Sequence, residues 1–185
     1  LVSGYRSTDT KVDKGPCRVF RLDPATGALN GQFDLPEDCG HAGGLAYAGK
    51  GVLIAADTRR LYRIDLAKAL ADGNTGAALT GVLKLAGDLK GSFIDLSGTT
   101  LLVGVYDRLA EKSRGYRFPL ALFDSHAGKT LKPEQAEAVI PLPVETQGAA
   151  FDKEGFLWTT SSSSRHGRIS KLDAGTCQVL QQFEA

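Results

Sequence analysis

Methionine is missing from this chain altogether, and position 1 is Leu1. That sets the expectation of a processed, truncated or partly observed product. No apolar run approaches the roughly 20 residues a membrane-spanning helix needs, and no charged-then-apolar signal sequence opens the chain. Membrane insertion is therefore not expected. An excess of charge is absent too: 22 basic residues face 21 acidic ones, for a formal net charge of +1. Their interspersion leaves no broad field to hold nucleic acid or an anionic membrane, so neither is an expected partner. Glycine, by contrast, is plentiful, at 22 of 185 residues against a usual share of ~7% and without collagen's strict period. Hydrophobic residues make up 42%, enough to bury a core. Glycine in such excess serves turns between short strands, and the expected class is all-β.

Three cysteines permit one disulfide and leave one thiol over. Cys17 and Cys39 flank a proposed hairpin at the same end, where neighbouring strands bring such residues within bridging distance. A bridge would imply an oxidising compartment, secreted or periplasmic. The alternative is a pair of small buried residues in a reducing cytosol, and spacing alone does not choose between them. Cys177 falls in a turn.

The chain repeats itself. "VFRLDPATGAL", "LYRIDLAKAL", "LALFDSHAGKTL" and "ISKLDAGTCQVL" share alternating apolar residues, an aspartate, a short turn and a second apolar stretch. Each reads as a β-hairpin. The aspartates, Asp23, Asp65, Asp124 and Asp173, start turns because a carboxylate accepts from backbone amides two residues on. Three of these hairpins follow another: "GGLAYAGKGVLIAAD", "GSFIDLSGTTLLVGVYD" and "QGAAFDKEGFLWTTS". Joined in order they make a four-stranded unit seen three times, and residues 1–37 supply three strands of a fourth. Four strands per roughly 40 to 50 residues is the mark of a β-propeller. Helix is expected mainly near residues 66 to 72, where Leu66 and Leu70 continue the strand carrying Leu61 and Ile64.

The stretch "TQGAAFDKEGFLWTTSSSSRHGRISKLD" resembles repeats of the NHL, quinoprotein-like and gluconolactonase (senescence-marker) propellers, on Gly148, Ala150, Asp152, Gly155, Leu157, Trp158 and Asp173. That resemblance implies architecture rather than a function. In the calcium-dependent lactonases of that group, a residue just before a glycine at the start of each inner strand ligates the metal. "HAGGL" looks like the corresponding signature with its ligand missing, and the matching positions are Gly43, Gly91 and Gln147. One amide leaves a calcium site short of oxygens, so no metal and no cofactor are expected.

Aligning Gly44, Ser92 and Gly148 leaves His41, Lys90, Glu145 and Gln147 at the mouth of the central channel. This ring either contacts a small polar ligand, with His41 able to change charge near neutral pH, or pairs internally and with channel water. Asp57 and Asp107 close equivalent strands and read as turn initiators. "SSSSRHG" reads as a solvated loop with no nucleophile elbow. His126 falls in a hairpin turn, and Trp158 reads as a blade-core aromatic.

The expected architecture is one propeller domain or segment over residues 1–185: blade remnants at 1–37 and blades at approximately 41–87, 88–143 and 145–184. The first blade lacks an innermost strand, which favours a segment of an incomplete five- or six-bladed ring over a four-bladed one. The leading function is a non-catalytic module that binds a small polar ligand or a protein partner, presenting the channel mouth or the loops 107–116 and 161–167. The alternative is a metal-dependent lactonase or esterase acting at the channel.

Overall fold

In a computed structural model that describes residues 1–6, 16–125, 129–163 and 166–184, strands dominate. The first sheet is β1 (Val2–Tyr5), β2 (Cys17–Leu22) and β3 (Leu29–Asp34). The second runs β4 (Gly44–Tyr47), β5 (Val52–Asp57), β6 (Arg60–Asp65), helix α1 (Leu66–Asp72) and β7 (Leu79–Leu85). The third holds β8 (Phe93–Ser97), β9 (Thr100–Val105) and β10 (Arg114–Pro119); helix α2 (Leu122–Ser125) and β11 (Thr130–Leu131) then precede its outer strand β12 (Ala138–Pro141). The fourth is β13 (Thr146–Phe151), β14 (Leu157–Ser163), β15 (His166–Leu172) and β16 (Val179–Glu184). Apart from β11, which joins the second sheet, the strands form antiparallel meanders, and β4, β8 and β13 lie side by side as inner strands. These are four blades of a β-propeller. Among the described residues no helix is long and apolar enough to cross a membrane.

Period-two alternation explains how the blades stack. On β5, Leu53 and Ala55 point to the first blade while Ile54 and Ala56 point to the third. On β9, Leu101 and Val103 pack back on the second blade, and Leu102 packs forward on the fourth. The buried residues therefore form three clusters, one for each junction between consecutive blades. Burying each Leu, Val or Phe contributes about 1.5–3 kcal/mol, so the junctions, rather than any one blade, hold the fold. The first and last blades share at most a marginal contact among the described residues. Among the described residues the first blade has three strands, the innermost of them β1.

Several local expectations need correction. "LALFDSHAGKTL" is no hairpin: Pro119 ends β10, α2 follows, and β11 joins the second sheet parallel to β7. Asp124 accordingly starts no strand turn and pairs with Arg63 of the second blade. His126 lies outside the described residues. Asp23 and Asp173 do begin turns, accepting from the amides of Thr26 at 2.8 Å and Thr176 at 2.7 Å. Asp65 instead caps α1 through the amide of Lys68, and Gly73 ends that helix with φ +71°. The serines at 161–163 are not loop but continue β14, paired with 166–168 of β15. Residues 114–116 likewise belong to β10, so the loop expected at 107–116 ends at Ser113.

Candidate functional site

The strands β4, β8 and β13 begin at one end of the ring, and β5, β9 and β14 finish there. This upper face carries all four residues assigned to the channel mouth. The segment before β4 is braced from two sides. Asp57, buried at the end of β5, accepts from the amides of Gly40 at 3.1 Å and His41 at 2.8 Å. Ser3 of the first blade donates its hydroxyl to the carbonyl of Ala42 at 3.0 Å. Ala42 sits at φ +50°, a left-handed conformation that a non-glycine residue holds only where its surroundings enforce it. His41 lays its ring against Tyr5 at 5.2 Å. Asp57 thus stands before the two-residue turn to β6, as expected, while its carboxylate organises the loop in front of His41. The sequence signal was available: a carboxylate directly after the buried run "VLIAA" needs donors, and the nearest turn was not the only source.

Gly43 and Gly91, where the expected resemblance to lactonases would put metal ligands, have another task. A Cβ on Gly43 would lie 2.4 Å from the carbonyl oxygen of Ser92, and one on Gly91 would lie 2.5 Å from that of Asp57. Backbone meets backbone here, and only glycine permits the approach. Calcium prefers six to eight oxygens with carboxylates among them, so this donor set does not fit that ion. Among the described residues one cluster has metal-ligand spacing, Cys17, Cys39 and Asp57. Its two sulfurs are joined as a disulfide with Cα atoms 5.8 Å apart, so they are not thiolate ligands. Cys177 is the free cysteine, in a turn at φ +60°.

Glu145 is held just before β13 at φ +60°. Its amide donates to the Asp107 carbonyl at 2.8 Å and its own carbonyl accepts from Ser162 at 3.3 Å. Its carboxylate, 19% exposed, lies 3.6 Å from the guanidinium of Arg108, which is 80% exposed. Gln147 occupies an irregularity in the β13–β14 register and is exposed, as expected where a bulge turns a side chain outward. Lys90 turns to a cleft between the second and third blades. Among the described residues no hydrogen bond or ion pair joins any two of His41, Lys90, Glu145 and Gln147; the fold gathers them on one face without making them one constellation.

Residues 107–113 form the prominent feature of that face. Asp107 accepts from the Leu109 amide at 3.0 Å, as a turn initiator does. Lys112 and Ser113 donate their amides to the Leu109 carbonyl, and the buried Ser113 gives its hydroxyl to Pro143 at 2.7 Å. The loop is braced by these hydrogen bonds, yet Leu109 at its tip is 48% exposed and Val144 beside Glu145 is 37% exposed. Sequence reasoning missed this pair because an exposed leucine or valine carries no signal until its surroundings are known.

No protein-family model and no curated protein matches the chain. Its likeness is to solved structures. It superposes on a chain of a nidogen/laminin complex with a TM-score of 0.55 and 14% identity, covering 92% of this chain and 60% of that one. For the hydrazine synthase of Kuenenia stuttgartiensis the TM-score is 0.53 at 10% identity, covering 92% and 43%. For the Dos1 propeller it is 0.50 at 16% identity, covering 92% and 42%. The fold is a β-propeller. The chain spans about half the length of these similar structures, and identities this low carry the architecture alone. They give no support to the NHL or gluconolactonase group in particular.

Proposed function

We propose that the protein is a non-catalytic binding propeller whose upper face receives a protein partner. The observation that carries this reading is the loop 107–113, tied to the 143–145 segment through Ser113–Pro143 and Glu145–Asp107, which leaves Leu109 exposed on the same face as the exposed Val144 and the polar Arg108 and Gln147. Exposed apolar residues rimmed by polar ones are the usual composition of a recognition surface, and a loop ordered beforehand loses little entropy on binding. The nidogen chain, solved together with laminin, agrees with such a use of the fold. A Cys17–Cys39 bridge suits a secreted or periplasmic setting.

The test is site-specific photocrosslinking in native cells. A photoreactive residue at Leu109 should give a discrete protein adduct, and one at Tyr47, 57% exposed on the opposite face, should not. Val144→Glu should abolish the adduct. Equal adducts at both positions, or none at Leu109, would overturn the proposal. The metal-dependent hydrolase reading has its own check: calorimetric titration of the chelator-treated protein with calcium, where stoichiometric uptake abolished by Glu145→Gln would restore it.

A further inference from the structure

Off the central channel, where the connection 86–92 passes between the second and third blades, the upper face opens into a cleft of about 480 Å³. That volume lies within the roughly 300–1,000 Å³ of small-molecule sites. Tyr116, 7% exposed with its ring stacked on Phe118 at 6.5 Å, lines the cleft. Among the described residues the Tyr116 hydroxyl has no hydrogen-bond partner, although it faces the cleft. Open to the cleft, that hydroxyl is free to bond a group that enters it. The walls carry charge of both signs. Asp88, Lys90, Lys112 and Glu134 form no ion pair or hydrogen bond through their side chains among the described residues, and Arg114 uses its Nε on the carbonyl of Glu111 at 2.6 Å. Val105 and Val139 add an apolar side.

We propose that this cleft binds a small zwitterion of amino-acid or dipeptide size, its carboxylate held by Lys90 and Arg114 and its ammonium by Asp88 and Glu134. An anion would meet the carboxylates and a simple cation would meet Lys90, Lys112 and Arg114, whereas a ligand with both ends charged offers each set its opposite. The Tyr116 hydroxyl sits where it can bond either end. Burial pushes its pKa up, Arg114 lowers it, and Asp88 and Glu134 raise it, which places charges of both signs around the same oxygen. The valines accept the ligand's carbon atoms. Lys112 of the loop 107–113 lines this cleft, so the two surfaces adjoin, but neither Leu109 nor Val144 lines it and the tests below do not use the partner surface.

The test is calorimetry and saturation-transfer NMR on the full chain with alanyl-alanine and glycyl-leucine, their N-acetylated and C-amidated forms, and glucose. The free dipeptides should bind, and each capped form should bind about tenfold more weakly, as loss of about 1.4 kcal/mol requires. Tyr116→Phe and Glu134→Gln should each weaken binding several-fold with an unchanged melting temperature. Should Tyr116→Phe disturb the fold, Glu134→Gln and the capped ligands decide the matter. Silence from the free dipeptides, equal affinity for free and capped forms, or binding of glucose in their place would overturn the proposal.

Discussion

The junction between the second and third blades and the outward face of the fourth blade are built from the same strand grammar and end in opposite states. At the junction, Ile54, Leu61, Leu83, Leu101, Val103 and Phe118 are almost fully buried. On the fourth blade, Trp158, Ile169 and Phe183 alternate as regularly, yet Ile169 is 38% and Phe183 50% exposed. Trp158, expected as a blade-core aromatic, instead stacks on Phe183 at 6.4 Å and donates its indole N–H to Asp152 at 2.8 Å. Lys171 lies 3.8 Å over the Phe156 ring on the same face. The outward face of the first blade, with Val2 52% exposed, shows the same condition. Alternation makes a face apolar; a neighbouring blade makes it core.

The contrast breaks most readily at the glycines. A Cβ on Gly104 would lie 1.9 Å from the Phe93 ring, inside a closed junction. Gly104→Ala should cost about 3 kcal/mol or more, at or above the upper end for overpacking, whereas Phe183→Ser on the open face should cost less than about 1 kcal/mol. Urea denaturation of both variants measures the difference, and similar costs would mean that the two faces are packed alike. Next in size is the Cys17–Cys39 bridge, which joins residues 22 apart and should contribute about 3 kcal/mol. Intact mass should rise by two hydrogens on reduction, and the melting temperature should fall with it. Full alkylation of both thiols without reductant would exclude the bridge.

A smaller effect belongs to the brace of the upper face. Asp57→Ala leaves the amides of Gly40 and His41 without their buried acceptor and should cost about 2 kcal/mol, within the range for unsatisfied buried groups. It should also sharpen hydrogen exchange at residues 40–43 while leaving 107–113 protected. Smallest is the pH response of the open face. The Trp158 indole N–H, the Phe156 amide and Lys171 hold the Asp152 carboxyl below its usual value. A carboxyl with a depressed folded pKa stabilises the protein above its unfolded value, about 3.9, and that contribution is lost as pH falls through the folded value. Stability should therefore drop below pH about 4 by slightly more in the native chain than in Asp152→Asn, as equilibrium denaturation against pH will show.

Much of the architecture was legible because strand alternation and turn chemistry are local. Apolar runs after glycine-containing turns marked β5, β9 and β14, Asp23 and Asp173 marked their turns, and the strand leading to residues 66–72 marked α1. The segment after Pro119 misled because its apolar residues pack on the second blade through α2 and β11, a contact distant in sequence. The candidate residues were placed on one face by aligning glycines, but their separation into a braced His41, an ion-paired Glu145, an exposed Gln147 and a cleft-lining Lys90 was not readable. That depends on which groups the neighbouring blades bring near.

By itself, then, the sequence determined most of the strands and turns of the four blades and which strands are apolar, since both follow from backbone geometry and residue type within a few positions. Tertiary structure alone decided which apolar faces are covered, why Gly43 and Gly91 exclude side chains where a metal site was conceivable, and how Asp57 and Ser113 brace the upper face. Burial, close backbone approach and hydrogen-bond satisfaction are properties of pairs of segments, and the pairs form only when one blade stacks on the next.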